Sequence, residues 1–321
     1  MKPQIYFLKG ARKASRVINP DSSNFGRNWN MFSNKEYANQ LIFEILNTDA
    51  PCMISRLGST ESHCVTNYLG VKYPEKFKSS KRFIANQTPP WWWEQDTIRK
   101  MQLWSGFFPT TIEKIEQFCE MLIEDMKEVD ILGSWLKQEV FFQEQFKSAK
   151  RLVLEDLEPF FATNPWTKAL EGKKVLVVHP FVETIKSQYA KRGVLFENDL
   201  LPDFELKTIP AVQSIAGAKT EYKDWFEALD SMKEKISKTD FDIALIGAGA
   251  YGMPLAAHVK RIGKKAFHLA GATQLLFGIK GRRWEQYIVW PYMNLFNEFW
   301  VRPTSQEQPK NANKVEDACY W

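Results

Sequence analysis

A glycine-rich turn is the strongest chemical signal in this sequence. Its residues form a Gly-x-Gly-x-x-Gly pattern: Gly247, Gly249, Tyr251 and Gly252. The pattern follows the apolar segment 241–246 and precedes a helical pattern over 253–262. Glycines let the backbone approach a pyrophosphate, and N–H groups at a helix start face its charge. No acidic residue follows at the spacing of a dinucleotide site, because His268 ends the next strand. A nucleotide diphosphate is the simpler ligand, and a tight turn without a ligand is the alternative.

A group of polar and cationic residues follows the next predicted strand. Gln274, Lys280, Arg282 and Arg283 lie within the segment 271–284. Ligands of open parallel sheets bind outside the carboxyl ends of the strands, so this segment and the glycine-rich turn are expected at one edge. There Lys280 and Arg283 would neutralise the charge on a departing diphosphate, with Gln274 as a substrate contact. The alternative is that these cations form a solvated loop.

An arginine and a glutamate follow an apolar segment much earlier in the chain. Residues 51–55 are predicted to form a short buried strand, and Arg56, Gly58, Ser59 and Glu61 come directly after it. The first three would contact a donor at the same edge. A carboxylate beside a diphosphate commonly holds a divalent metal, Mn²⁺ or Mg²⁺, so Glu61 is a candidate catalytic residue and metal ligand. Alternatively, Glu61 is a surface acid that stabilises the start of the next helix.

Two histidines each end a predicted strand. His179 follows residues 173–178, and His268 lies near the end of residues 265–269. An imidazole at the sheet edge can contact phosphate or transfer a proton. His179 is therefore a candidate catalytic residue and His268 a candidate substrate contact. The alternative for both is a satisfied histidine of the core.

Strands and helices alternate along the second half of the chain. The predicted strands are 173–178, 205–209, 241–246 and 265–269, and the predicted helices are 183–191, 222–237 and 253–262. This alternation is typical of a parallel sheet with crossover helices. We therefore predict an α/β fold, with a parallel Rossmann-like sheet flanked by helices, in a single domain over residues 34–300. Earlier segments at 129–133 and 150–154 are further candidate strands.

Three other segments are expected to differ from this alternating pattern. Residues 1–33 are predicted to form an irregular N-terminal arm, and residues 301–321 a C-terminal tail. A helical, aromatic-rich insertion is predicted over about 89–148. It contains Trp91–Trp93, whose rings either stack on sugars or pack at the seam of the insertion.

Composition excludes several classes of protein. The 321 residues are 44% hydrophobic and carry a net charge of +5, with cations scattered among acids, so nucleic acid is not an expected partner. A mildly basic surface suits a phosphate-bearing substrate or an anionic membrane face, although a solvated surface explains it equally well. Four cysteines without Cys-x-x-Cys spacing favour reduced thiols and a cytoplasmic protein. Motifs of serine hydrolases, metalloproteases and kinases are missing from the sequence.

Two regions resemble glycosyltransferases of the GT-D fold, a family found in bacterial glycan-synthesis loci. The first is Ile54–Glu61, where the family shows an Arg-x-Gly-Asp-Gly-Glu type sequence, and the second is Asp242–Trp284, which contains a Gln-x-x-Phe-Gly-x-x-Gly-x-Arg-Trp stretch. The resemblance implies a GT-D-like α/β domain and a nucleotide-sugar donor. The family's Asp-x-Glu binds metal and donor. Here Ser59 stands in place of the Asp, so only Glu61 matches.

These observations predict transfer of a sugar, from a UDP-linked or similar donor, to a growing cell-surface glycan or glycoprotein. The acceptor would be a glycan, a lipid-linked sugar or a protein, with peripheral association at the inner face of the membrane as a further expectation. Two alternatives come from other classes. A Rossmann-type enzyme that uses NAD or S-adenosylmethionine would need the same glycine-rich turn. A non-catalytic nucleotide-sugar-binding protein would explain the missing Asp.

Overall fold

A computed structural model describes residues 3–18, 33–286, 291–309 and 320–321. The strands are β1 (Cys52–Arg56), β2 (Ile131–Ser134), β3 (Lys150–Val153), β4 (Lys174–His179), β5 (Glu205–Pro210), β6 (Ile243–Ile246) and β7 (Lys265–His268). The helices are α1 (Pro3–Ile18), α2 (Lys35–Asn47), α3 (Ser59–Lys72), α4 (Pro74–Phe77), α5 (Ser80–Ile84), α6 (Gln95–Leu103), α7 (Ile112–Asp125), α8 (Val182–Tyr189), α9 (Arg192–Leu195), α10 (Trp225–Ser237), α11 (Gly252–Arg261) and α12 (Arg282–Glu285).

In the described part of the chain, seven strands form one sheet in the order β3-β2-β1-β7-β6-β4-β5. Every pair of neighbours is parallel. The prediction of a parallel Rossmann-like sheet flanked by helices is therefore confirmed. Parallel strands that are covered on both faces consist of continuous apolar runs, and β4 and β6 have this character.

Helices cover the two faces of the sheet, and each face has its own apolar core. Met53, Leu176 and Ala244 pack into the core that also contains side chains of α3, α7, α10 and α11. Their neighbours Ile54, Val177 and Leu245 pack into the opposite core, with side chains of α2 and α8. This alternation follows from the two-residue period of a strand.

The direction of the chain crossings changes between β4 and β6. The chain leaves β4 through α8 toward the edge strand β5, whereas it leaves β6 through α11 in the opposite direction, toward β7. Loops at such a switch point diverge to opposite faces and leave a crevice at the carboxyl ends of the strands. His179 at the end of β4 and Gly247 after β6 lie at this crevice.

The N-terminal residues differ from the prediction of an irregular arm. Residues 3–18 form α1, which packs against α5. Its inner positions, including Ile5, Leu8 and Arg12, are half-buried, and no residue of α1 is fully buried. A helical pattern with so few apolar positions is weak in the sequence. The remainder of the predicted arm and residues 310–319 of the predicted tail lie outside the described residues.

The predicted insertion over 89–148 is joined to the sheet. It contains helices α6 and α7, but it also contains β2, which pairs with β1 and β3. The three tryptophans pack within the protein: Trp91 and Trp92 against each other and Phe83, and Trp93 against Tyr68. Across the described residues, we find no helix with the length and apolar character that crossing a bilayer requires.

Candidate functional site

The carboxyl ends of all seven strands open into one cavity of about 690 Å³. Lining residues follow each strand in turn: Arg56 to Glu61, Trp135, Glu155 and Glu158, His179, Ala211 to Ile215, Gly247 to Tyr251, and His268 to Ala272. Later residues complete the wall: Gln274, Arg283, Trp284, Tyr292, Tyr320 and Trp321. Its size is that of an ordinary small-molecule site.

The cavity brings together most of the residues that the sequence indicated. They are Arg56, Gly58, Ser59, Glu61, His179, Gly247, Gly249, Tyr251, His268, Gln274 and Arg283. Gly252 and Lys280 are outside its lining. Glu61 and Gly249 share the cavity although they are far apart in the sequence, because β1 and β6 end at the same edge of the sheet.

Arg56 places a buried positive charge in the cavity wall. Its guanidinium lies over the Trp135 ring, 4.7 Å from the ring centroid. Burial lowers the pKa of Arg56, and the nearby Tyr320 and Glu61 partly oppose this effect, whereas Arg283 adds a like charge. An arginine remains protonated in this situation, so the cavity holds a cation that an anionic ligand would stabilise.

Glu61 folds back over the start of its own helix. Gly58 is the N-cap of α3, and the carboxylate of Glu61 occupies the space that a Cβ at position 58 would fill. A Cβ at position 58 would therefore displace this carboxylate, which lies at the end of a flexible side chain. The Arg-x-Gly-x-x-Glu spacing thus has a structural reason, and a carboxylate in the first turn also favours the helix.

The described residues around Glu61 do not form a complete metal site. Ser59 supplies no carboxylate, and across the described residues no three His, Cys, Asp or Glu side chains come together as a metal-binding group. Divalent cations of the Mg²⁺ type prefer several oxygen ligands. A metal held jointly by Glu61 and a donor's phosphates stays a prediction, and no step below depends on it.

His179 is a neutral imidazole at the switch point. Burial lowers its pKa to about 3. Its Nδ1 accepts a hydrogen bond from the N–H of Phe181 at 3.0 Å, so the proton of the neutral ring is assigned to Nε2. Near neutral pH, His179 can therefore donate a hydrogen bond, but it is a weak base. A satisfied core histidine and a phosphate donor are both compatible with this geometry.

His268 has a different set of partners. Its Nδ1 lies 3.1 Å from the Ser55 hydroxyl. Burial, with a smaller contribution from Arg56, lowers the pKa of His268 to about 3. Its Nε2 is buried and has no hydrogen-bond partner among the described residues. This nitrogen faces Gly252, where a Cβ would lie 2.1 Å from it, so it packs against the start of α11.

The glycine-rich turn accommodates these two rings. A Cβ at Gly247 would overlap the His179 ring, and a Cβ at Gly252 would overlap the His268 ring. Of the three glycines in this turn, only Gly249 combines a left-handed backbone, φ +53°, with open space around the missing side chain. Two glycines of the pattern thus have a packing reason, and Gly249 is the one that offers an accessible backbone to a ligand.

Gln274 and Lys280 form hydrogen bonds that connect segments of the chain around the cavity. The Gln274 Nε2 donates at 3.2 Å to the carbonyls of Ile279, Lys280 and Tyr320. The backbone N–H of Lys280 donates to the Val301 carbonyl at 2.7 Å. These bonds hold residues from three distant parts of the chain together, so Gln274 acts at least as a positioning residue.

Arg283 lines the cavity and contacts Tyr320, one of two C-terminal aromatic residues in the same wall. Its Nη1 donates to the Tyr320 hydroxyl at 3.2 Å, and its guanidinium lies 4.8 Å from the centroid of that ring. Tyr320 and Trp321 were not indicated as site residues by the sequence. They form part of the wall, close to Trp284 and Phe181.

Two glutamates after β3 were not predicted as site residues. Glu155 and Glu158 line the cavity, and the Tyr292 hydroxyl donates to the Glu158 carboxylate at 2.7 Å. Burial raises the pKa of Glu158 to about 8, although the Tyr292 bond acts in the opposite direction. Residues 150–154 were predicted to be a strand, so the rule that strand ends carry function could have identified both acids.

Comparison with known proteins adds no assignment. No family model, curated protein or solved structure matches this chain. The function of the protein is therefore inferred from its fold and from the chemistry of the cavity.

Proposed function

We propose that this protein is a glycosyltransferase of the GT-D type, which moves a sugar from a nucleotide diphosphate donor, such as a UDP-sugar, to a growing cell-surface glycan or glycoprotein. The observation that carries the proposal is the convergence of Arg56, Arg283 and the Gly249 turn in one cavity at the switch point of a parallel sheet. Cations and backbone N–H groups in such a position suit a diphosphate.

The leaving group of the reaction would be stabilised by charge. When the bond between the sugar C1 and the diphosphate oxygen breaks, the electron pair stays on that oxygen. Arg56 and Arg283 would offset the developing charge, and the Nε2–H of neutral His179 would donate to a phosphate oxygen. Lys280 lies outside the cavity lining and would act only at longer range.

The acceptor hydroxyl forms the new bond to C1 and must lose a proton. Glu61, at the same edge, is the proposed base for this proton. The aromatic residues of the wall, including Trp135, Trp284 and Trp321, offer flat apolar surfaces for a nucleobase or a sugar ring.

Calorimetric titration with UDP, with and without Mn²⁺, tests the donor site. We expect UDP binding that Arg56→Gln weakens by about tenfold or more, the loss expected for one charge-assisted hydrogen bond. Arg82→Gln, which removes an exposed cation of α5, is the matched control and should leave UDP affinity unchanged. Absence of UDP binding under both conditions would refute the proposal.

A second measurement separates the alternatives. A thermal-shift screen with NADH, S-adenosylmethionine and UDP-sugars shows which cofactor class stabilises the protein. Glu61→Gln should retain UDP binding and lose transfer of a labelled sugar. If the unaltered protein binds UDP-sugars but neither hydrolyses nor transfers them to any glycan acceptor tested, the chain is a nucleotide-sugar-binding protein instead.

The cellular location is a further proposal, namely the cytoplasmic side of a membrane. It is supported by the outer face of α1, where Phe7, Val17 and Ile18 are exposed on the same helix as the exposed cation Lys13. Apolar side chains flanked by cations suit an anionic lipid surface. Flotation with phosphatidylglycerol vesicles should recover the protein, and Phe7→Ser should reduce the recovery. Equal recovery with phosphatidylcholine vesicles would contradict an anionic lipid partner.

A further inference from the structure

A second cavity of about 730 Å³ adjoins the first. Ser59, Thr60 and Trp104 line both cavities, so the two are separated only by the start of α3 and one indole ring. The rest of its wall comes from α1, α3, α6, the turn 86–90 and residues 137–141, and most of its lining side chains carry a polar group. Any molecule in the second cavity would thus reach the region where the first cavity is proposed to hold a donor sugar.

Two arginines of α1 converge on one neutral atom in this wall. The Oδ1 of Asn86 accepts hydrogen bonds from Nε and Nη2 of Arg12, the first at 2.9 Å, and from Nη2 of Arg16 at 2.8 Å. Asn86 is buried and has a left-handed backbone, φ +58°, which asparagine tolerates. An amide oxygen satisfies these donors but does not neutralise their charges.

The acids of the same wall are engaged elsewhere. Glu94 forms an ion pair with Lys9 at 3.3 Å, and Asp96 forms one with Lys100 at 2.7 Å. Burial and, to a smaller extent, the neighbouring Arg16 lower the pKa of Arg12 to about 10, and Glu94 only partly opposes them. The positive charge at Arg12 and Arg16 is therefore incompletely balanced by the acids of the wall.

Trp104 is placed to hold a sugar at the boundary. It is 37% exposed, and the Lys100 ammonium lies 5.0 Å from its ring centroid. An exposed indole between the two cavities offers an apolar surface to the C–H face of a saccharide, while polar groups of the second cavity bind the hydroxyls.

We propose that the second cavity is the acceptor site and that its acceptor is an acidic saccharide, whose carboxylate or phosphate is bound by Arg12 and Arg16 while Trp104 supports the sugar ring beside the donor. This inference rests on the proposed glycosyl transfer. A purely structural role for the arginines, as a clasp that holds α1 on the protein, makes different predictions.

Binding of three saccharides to the full chain, saturated with UDP, tests the acceptor site by calorimetry at low ionic strength. Hyaluronan tetrasaccharide carries carboxylates, mannose 6-phosphate carries a phosphate, and chitotetraose is neutral. We expect at least one anionic probe to bind at least about tenfold more tightly than chitotetraose, the contribution of one charge-assisted hydrogen bond. The preferred probe distinguishes carboxylate from phosphate. Failure of both anionic probes to bind, or equal affinity for chitotetraose, overturns the inference.

Three variants separate binding from folding. Arg16→Gln should weaken the anionic probe by about tenfold, whereas Lys13→Gln should have little effect, since Lys13 is an exposed cation of the same helix outside the cavity. Asn86→Asp has nearly the same shape but places a negative charge between the arginines. It should raise the unfolding temperature and abolish anion binding. Equal losses for the two α1 variants, or unchanged anion binding in Asn86→Asp, would show that the arginines only hold the helix.

The UDP titration of the same samples distinguishes this inference from the proposed function. If UDP binds and the anionic probes do not, the acceptor assignment fails alone. If an anionic probe binds at Arg16 and UDP does not bind at all, the anion site stands and the glycosyl-transfer proposal fails.

Discussion

Glu158 should make the stability of the protein fall as the pH rises. Its carboxyl group lies at the cavity wall, where burial raises its pKa from an ordinary 4.5 to about 8. Between these values the folded state retains a proton that the unfolded state has released. A raised pKa of this kind gives stability that is present below 4.5 and is lost as the pH rises through 8. Glu158→Gln removes the titration and keeps an oxygen that can accept from Tyr292.

The size of the effect follows from the two pKa values. Each pH unit between them corresponds to about 1.4 kcal/mol of folding free energy. Glu158→Gln should therefore stabilise the protein by about 1 kcal/mol at pH 5, about 3 kcal/mol at pH 7 and about 4 kcal/mol at pH 8. For a chain of this size, the change at pH 7 corresponds to a rise in Tm of roughly 5 °C.

Urea unfolding at pH 5, 7 and 8, followed by tryptophan fluorescence, measures this difference directly. Glu171→Gln is the matched control, because Glu171 is an exposed glutamate that follows residues 166–170. The control should show the pH dependence of the unaltered protein. The reasoning is refuted if the gain in Glu158→Gln is the same at all three pH values, or if it shrinks as the pH rises.

Two other substitutions probe the wall of the cavity, and a third probes a buried hydrogen bond of α2. Gly247→Ala forces a methyl group into the His179 ring and the Ala270 carbonyl oxygen, and it should destabilise the protein by about 1–3 kcal/mol in urea unfolding; a neutral result would mean that both the ring and this backbone segment move freely. As the pH falls from 6.5 toward 3, the unfolded state binds a proton at His268 that the folded state does not bind, so the protein loses about 1.4 kcal/mol of stability per pH unit. His268→Asn should remove this loss. An unchanged fall of Tm with acid in thermal melts would argue against a neutral ring. Asn39→Ala should cost about 2 kcal/mol in urea unfolding, because the buried Asn39 Oδ1 accepts from the Trp166 N–H at 3.0 Å; a loss below about 0.5 kcal/mol would show that water replaces it.

The sheet could be predicted from the sequence because its signals are local. Residues 175–178 and 243–246 are uninterrupted apolar runs of strand length, and β4 and β6 form there. Helix α1 was not predicted, because its inner face carries Arg12 beside only a few apolar residues. Its packing partner α5 lies far along the chain, and this long-range contact leaves no local pattern.

The candidate site was predictable only in part. The rule that ligands bind at strand ends correctly grouped Arg56, His179 and Gly249 in one cavity. Tyr320 belongs to the same wall, but its position depends on long-range hydrogen bonds. One of them joins the Gln274 side-chain amide to the Tyr320 carbonyl at 3.2 Å, and these two residues are 46 positions apart in the sequence. The raised pKa of Glu158 likewise depends on burial, which the sequence does not encode locally.

The fit of His268 into the space beside Gly252 makes these two positions interdependent. Gly252 has an ordinary helical backbone, so the imidazole alone keeps a larger residue out of position 252. Removal of the ring should therefore free that space, and alanine at both positions should be tolerated better than alanine at position 252 alone. A library randomised at both sites would then recover side chains of constant combined volume, so that each position acts as a suppressor of mutations in the other.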